Sequence, residues 1–166
     1  IEGILHTHAR PRLKHARTTS RLGIALGGPF DRGVDGPGGW ILLDEPELHL
    51  GEDILVPDLA GWRRERLPVL PADPYLTLPP DWLCEVLSPS TAKIDRADKL
   101  PVYARESVRH VWLLDPLQRT LEVLRLEGEH YTLLGVHTDD AVVNAEPFDV
   151  FDLQLSVLWA DVAQPK

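Results

Sequence analysis

Two carboxylates set inside runs of apolar residues constrain this chain more than any other feature. Asp58 stands in Ile54-Leu55-Val56-Pro57-Asp58-Leu59-Ala60, and Glu85 in Trp82-Leu83-Cys84-Glu85-Val86-Leu87. An ionised carboxylate taken out of water is costly unless a counter-charge compensates it, and without one burial drives it towards the neutral acid. Two of them on two extended segments call for a shared partner. Hard oxygen ligands of this kind suit Mg²⁺ or Mn²⁺. Such a cation can hold a phosphodiester oxygen and lower the pKa of a bound water. Lys99, on the helix that follows Glu85, is the first candidate for an ammonium beside developing negative charge, with Lys93 as the alternative. The competing account makes Asp58 a turn former after Pro57 and Glu85 the partner of Lys99 in a structural ion pair.

The spacing of apolar residues predicts where these groups sit. Ile1 to His8 reads as a strand or hairpin remnant. Lys14 to Leu26 reads as a helix ended by Gly27-Gly28-Pro29. Trp40 to Leu50 and Ile54 to Trp62 read as two strands of a hairpin around Gly51-Glu52-Asp53. In the first, Glu45, Glu47 and His49 share one face. Arg63 to Pro80 is a proline-rich loop. Trp82 to Leu87 is a short strand buried on both faces. Ser88 caps a helix from about Thr91 to Glu106, kinked at Pro101, on which Asp95 and Lys99 lie one turn apart. Arg109 to Leu114 is a further buried strand. Thr120 to Leu126 and His130 to Val136 form a hairpin, Phe148 to Leu155 is extended, and Ser156 to Val162 is a last short helix. The expected fold is α/β, a central mixed sheet flanked by helices.

Length bounds the chain to a single domain over residues 1–166. No Met occurs anywhere, so the expectation is a chain whose N-terminus has been truncated. No apolar run reaches membrane-spanning length, and residues 1 onward show no signal-peptide pattern, although a truncated start would have lost one. The single Cys84 makes no internal disulfide and fits a reducing, cytoplasmic setting. A net charge of −9 argues against a general nucleic-acid binder. The charge is uneven, however. Arg10, Arg12, Lys14, Arg17 and Arg21 form one basic group and Arg63, Arg64 and Arg66 another, with acidic residues between them. Either these runs are solvated surface, or they form a phosphate-binding rim beside an acidic metal site. His15, His49 and His110 are scattered and read as structural. The five Trp residues read as core.

Pro57-Asp58, the run Glu85-Val86-Leu87-Ser88-Pro89-Ser90-Thr91, and Asp95 with Lys99 and Tyr103 together resemble the Uma-two family of endonucleases. That family belongs to the restriction-endonuclease-like superfamily, with its Pro-Asp and Asp/Glu-x-Lys motif. Leu87 stands where the superfamily motif has Lys, and Lys99 matches the cation this family supplies from the following helix. The resemblance implies a restriction-endonuclease-like fold and a Mg²⁺- or Mn²⁺-dependent endonuclease acting on DNA, with two copies for two strands, hence a homodimer. It implies Asp58, Glu85 and Lys99 as catalytic residues. The metal would be held by Asp58, Glu85 and an acidic residue of the first hairpin, Glu47 ahead of Glu45, with the Val86 carbonyl. Asp95 supports Lys99 or caps the helix, and Ser88 is secondary. Pro80-Asp81 is a decoy of the Pro-Asp form. Pro101 and Ser107 depart from the family, which has a helix former and a Gly at those positions. Its N-terminal helix and an acidic residue of its first strand are not evident here. The alternative is a catalytically silent module that uses the same fold for protein interaction or self-association.

Overall fold

The structure is a computed structural model and describes residues 12–163. The expected strand at Ile1 to His8 lies outside those residues. Helix α1 (Leu13–Leu26) buries Thr18, Leu22 and Leu26, a stripe one residue in four. It does not stop at the glycines. A π-helical segment, Gly27–Arg32, carries it on to Gly33, which has φ 68°. Burial of Phe30, whose ring lies 4.5 Å from that of Phe148, outweighs the weak helix propensity of Gly27 and Gly28.

The two long strands expected from the pattern are each divided at a proline. The first becomes β1 (Trp40–Asp44) and β2 (Leu48–Leu50), the second β3 (Asp53–Leu55) and β4 (Leu59–Arg63). Pro46 and Pro57 cannot donate to a ladder, so pairing lapses at both. Glu45, beside Pro46, takes φ 47°. The halves then pair separately. β1 runs antiparallel to β4 in the main sheet, and β2 to β3 in a small sheet of their own.

β5 (Trp82–Val86) is buried throughout, as its unbroken apolar run requires. The connection to β6 (His110–Asp115) was expected as one kinked helix and is a composite. α2 (Ala92–Ile94) passes into a π-helical segment, Asp95–Lys99, and then into α3 (Leu100–Arg105). Pro101 lies at the start of α3, where its missing N–H costs least. The wider turn just before it replaces the sharp kink. β6 is parallel to β5. β7 (Thr120–Glu127) and β8 (His130–Thr138) form the expected hairpin. β9 (Val142–Val143) pairs with β10 (Leu153–Gln154), the only part of the expected Phe148–Leu155 segment that forms a strand. α4 (Ser156–Trp159) is shorter than its pattern.

The main sheet has the order β1-β4-β5-β6-β7-β8. It is mixed, with the parallel pair at its centre. One face packs Leu22, Leu26, Trp82, Trp112, Phe148 and Leu158. The other packs Trp62, Leu83, Val102, Tyr103, Val111 and Leu113. All five Trp side chains are in the core, as expected. The two sheet edges differ. At β1 the Leu42 N–H donates to Asp31 Oδ2 at 3.0 Å, so the π-helical segment closes that edge. At β8 no further strand follows among the described residues.

α3 ends in a left-handed residue, Ser107, with φ 61°. The N–H of Ser107 donates to the Ala104 carbonyl and that of Val108 to the Tyr103 carbonyl, a pattern that favours Gly at this position. Ser107→Gly therefore stabilises the protein by about 1 kcal/mol, read as a higher midpoint in urea at unchanged slope.

Candidate active site

The strand register brings the two carboxylates together. β4 and β5 pair antiparallel with Leu59 opposite Cys84. One step further along the same register, Asp58 faces Glu85 at the end of the sheet. Pro57 ends the strand pairing there, and the Asp58 side chain takes its place. Asp58 Oδ2 accepts the Val86 N–H at 2.7 Å. The Asp58 backbone carbonyl accepts the Glu45 N–H at 3.0 Å. A carboxylate that substitutes for a strand partner is fixed in direction by that substitution.

Glu85 is 1 % exposed. Its Oε1 accepts from Lys99 Nζ at 3.0 Å and from the Tyr103 hydroxyl at 2.6 Å. Lys99 Nζ also lies 2.8 Å from Asp95 Oδ1. Lys99 and Asp95 are both in the π-helical turn, and both are buried. The crossover from β5 to β6 thus lays Asp95, Lys99 and Tyr103 over Glu85. Asp95, expected either to support Lys99 or to cap the helix, is in contact with Lys99.

Burial pushes the Glu85 carboxyl up to about 8, opposed by the Lys99 ammonium and reinforced by Asp95 and Asp58. Burial pulls Lys99 down, but Glu85 and Asp95 outweigh it and hold the ammonium above its ordinary value. Both directions hold if Glu85 carries a proton near neutrality while Lys99 stays ionised against Asp95. Burial also raises the Tyr103 phenol, which remains a donor. An excess of acid over base in a water-poor place costs stability, and such an excess is characteristic of sites kept for chemistry.

A residue that sequence reasoning set aside completes the cluster. His15, on α1, brings Nε2 within 3.2 Å of Asp58 Oδ1. Burial lowers its pKa, yet the Asp58 carboxylate, the Val86 backbone and Asp95 raise it overall. Its Nδ1 is buried and has no hydrogen-bond partner. His15 stands between Lys14 and Arg17 near the start of α1 with no motif around it, so only the packing of α1 over the sheet end reveals it.

The remaining expected residues have the following partners, Glu45 lying beside Asp58 through its backbone N–H. Glu47 gives its carboxylate to His49 Nε2 at 2.6 Å, on the small sheet. The Glu45 side chain is exposed. Ser88 does not cap the helix through its hydroxyl, which meets Ser90 and Thr91 instead. The Ser88 carbonyl receives the first turn's N–H groups. Asp81 accepts from the Arg63 N–H and from Arg66, a structural role that matches its reading as a decoy. The basic groups are largely engaged. Arg17 and Arg21 meet Asp161, Arg64 meets Asp31, and Arg63 lies over the Trp40 ring. Two grooves, of about 740 and 430 Å³, open on the surface, and Asp58, Glu85 and Lys99 line neither.

A mixed sheet carrying Asp58 and Glu85 at one end, with a helix-borne lysine on the second acid, defines a restriction-endonuclease-like protein. The chain belongs to the Uma2 family, described as "Putative restriction endonuclease", which matches residues 1–158. A crystal structure of a "putative nuclease belonging to DUF820" from Anabaena variabilis ATCC 29413 has the same fold, with a TM-score of 0.77 at 22% identity. The match covers 96% of this chain and 88% of that one. No curated protein matches the chain. Family and fold support a nuclease, and hence a hydrolase. Among the described residues no helix is long and apolar enough to cross a membrane.

The state of Glu85 has a measurable consequence. Unfolded, it titrates at its ordinary value near 4.5, and folded near 8. Between those values the native state holds a proton the unfolded chain has lost, so stability falls as pH rises through the interval. A pH series of thermal melts on metal-free protein shows that decline, and Glu85→Gln, with no proton to lose, flattens it. Equal slopes in the two proteins exclude Glu85 as the group responsible.

Proposed function

We propose that this protein is a Mg²⁺-dependent endonuclease that hydrolyses DNA phosphodiester bonds. The observation that carries the reading is the convergence of Asp58 and Glu85 at one sheet end, with Lys99 Nζ 3.0 Å from Glu85. The donor set suits the ion. Among the described residues no three His, Cys, Asp or Glu side chains group closely enough to make a cage. Mg²⁺ is commonly held by one or two carboxylates and keeps several waters, so two acids and the Val86 carbonyl match its demand. The Asp58 carboxylate and the Val86 backbone raise the pKa of His15 against burial, which supports a spot that favours positive charge.

When bound, the cation would lower the pKa of a water and draw charge from a phosphoryl oxygen. The protein's own groups do the rest. Asp58 is held by the Val86 N–H and by His15, and so presents its carboxylate in a fixed direction. Tyr103 and Lys99 orient Glu85. Lys99, still charged against Asp95, places an ammonium where negative charge develops on the phosphate. Burial removes competing water from this exchange of partners.

One observation favours the silent-module reading. Glu85 and Lys99 are each almost fully buried, and their partners are inside the protein. That reading requires no metal uptake and no salt-sensitive binding to DNA.

Calorimetric titration with Mn²⁺ separates the two. Wild type binds, and Asp58→Ala binds at least about tenfold more weakly, an expectation for loss of one of few ligands. Equal binding by both removes Asp58 from the site. Plasmid nicking in the presence of Mg²⁺ then tests the chemistry: Glu85→Ala and Lys99→Ala each lose about a hundredfold or more in rate. A DNA mobility shift that weakens as salt rises eliminates the silent module.

A further inference from the structure

β8 is a long strand that ends the main sheet with no further element paired to its outer edge among the described residues. It runs from His130 to Thr138 and pairs only with β7 among the described residues. Edge strands are normally blunted by charge, proline, short length, a bulge or a covering element. Among the described residues β8 has only the bulge opposite Val123 and Leu124. The segment His130-Tyr131-Thr132-Leu133-Leu134-Gly135-Val136-His137-Thr138 contains no Asp, Glu, Lys, Arg or Pro, in a chain of net charge −9. The opposite edge, β1, is short and is closed by Asp31 on the Leu42 N–H.

The strand also carries an apolar stripe. Leu133 is 51% exposed and Val136 49%. Leu133 pairs with Leu124, which packs in the core beneath α3. Val136 pairs with Glu122, whose carboxylate reaches Arg96 on the crossover. A bulge between Val123 and Leu124 brings both residues to this same face. The larger groove, between α3 and the β7–β8 turn, runs beside the stripe and is lined in part by Pro101 and Tyr131.

We propose that β8 is the interface of a homodimer, in which two copies pair antiparallel about a two-fold axis and join their sheets. Residues directly opposite in an antiparallel pair share a face, so each Leu133–Val136 stripe meets its own copy. A second copy is the occupant the strand fits. It brings the same uncharged sequence and meets no like charge across the pairing, whereas a charged segment of another protein finds no counter-charge on β8. Nine residues at about 3.4 Å each give roughly 30 Å of ladder. No residue of the Asp58–Glu85–Lys99 cluster takes part, so the inference stands apart from the nuclease reading.

Sedimentation velocity over a concentration series on the whole chain, together with hydrogen exchange, tests it. Wild type forms a dimer, and the β8 amides gain protection as concentration rises. Val136→Glu and Val136→Lys are each monomeric, because like charges face one another near the axis, and their equimolar mixture forms a heterodimer. Val136 is half exposed, and a far-UV circular dichroism spectrum confirms that each variant is folded. Wild type that stays monomeric overturns the proposal. So does a dimer that both variants retain, or β8 exchange that does not change with concentration.

Discussion

The Lys99 ammonium, held between Glu85 and Asp95, is the interaction on which the site depends. Glu85 lies in the middle of the core, on a strand buried on both faces. It is tolerated there because the crossover lays a positive charge and a phenol directly over it. The π-helical turn over Asp95–Lys99 is part of that arrangement. Wide turns of this sort give up regular helical bonding and recur at functional sites. Here the turn carries both members of the Lys99–Asp95 pair inward, and both are buried.

The carboxylates are unequal in environment. Asp58 keeps partial exposure, 15%, and is held by His15 and a backbone N–H. Glu85 is sealed and pushed towards the protonated acid. A buried carboxyl pushed up in this way, beside a second acid, is a pattern associated with sites of chemistry. It also means that a cation arriving at Asp58 and Glu85 must displace a proton, which ties metal uptake to pH.

Much of this was legible in the residues. An acid in an apolar run is conspicuous because it violates the burial rule, and that alone marked Asp58 and Glu85. The continuous hydrophobicity of Trp82 to Leu87 identified a central strand. The departure at Ser107, where the family has Gly, corresponds to a left-handed backbone residue. What the pattern could not show was set by contacts distant in sequence. The hairpin keeps one register across the break at Pro46 and Pro57, with Leu43 opposite Ala60 and Leu48 opposite Leu55, and the pattern did not show that its outer part forms a small sheet of its own. The glycines after α1 look like a stop, but Phe30 packing on Phe148 carries the helix past them. His15 has no local signature at all. Its role arises because α1 docks over the end of β4 and β5. Strand alternation placed Glu47 on one face with His49, and the two side chains meet there, a partner that the preference for Glu47 did not anticipate.

The hydrogen bond from the Leu42 N–H to Asp31 has a meaning beyond β1 itself. A sheet with one sticky side and one capped side terminates at a pair. A sheet sticky on both sides has no stopping point and grows into a fibre. If β8 pairs with a second copy as proposed, Asp31, remote from any chemistry, is the residue that stops the assembly at two.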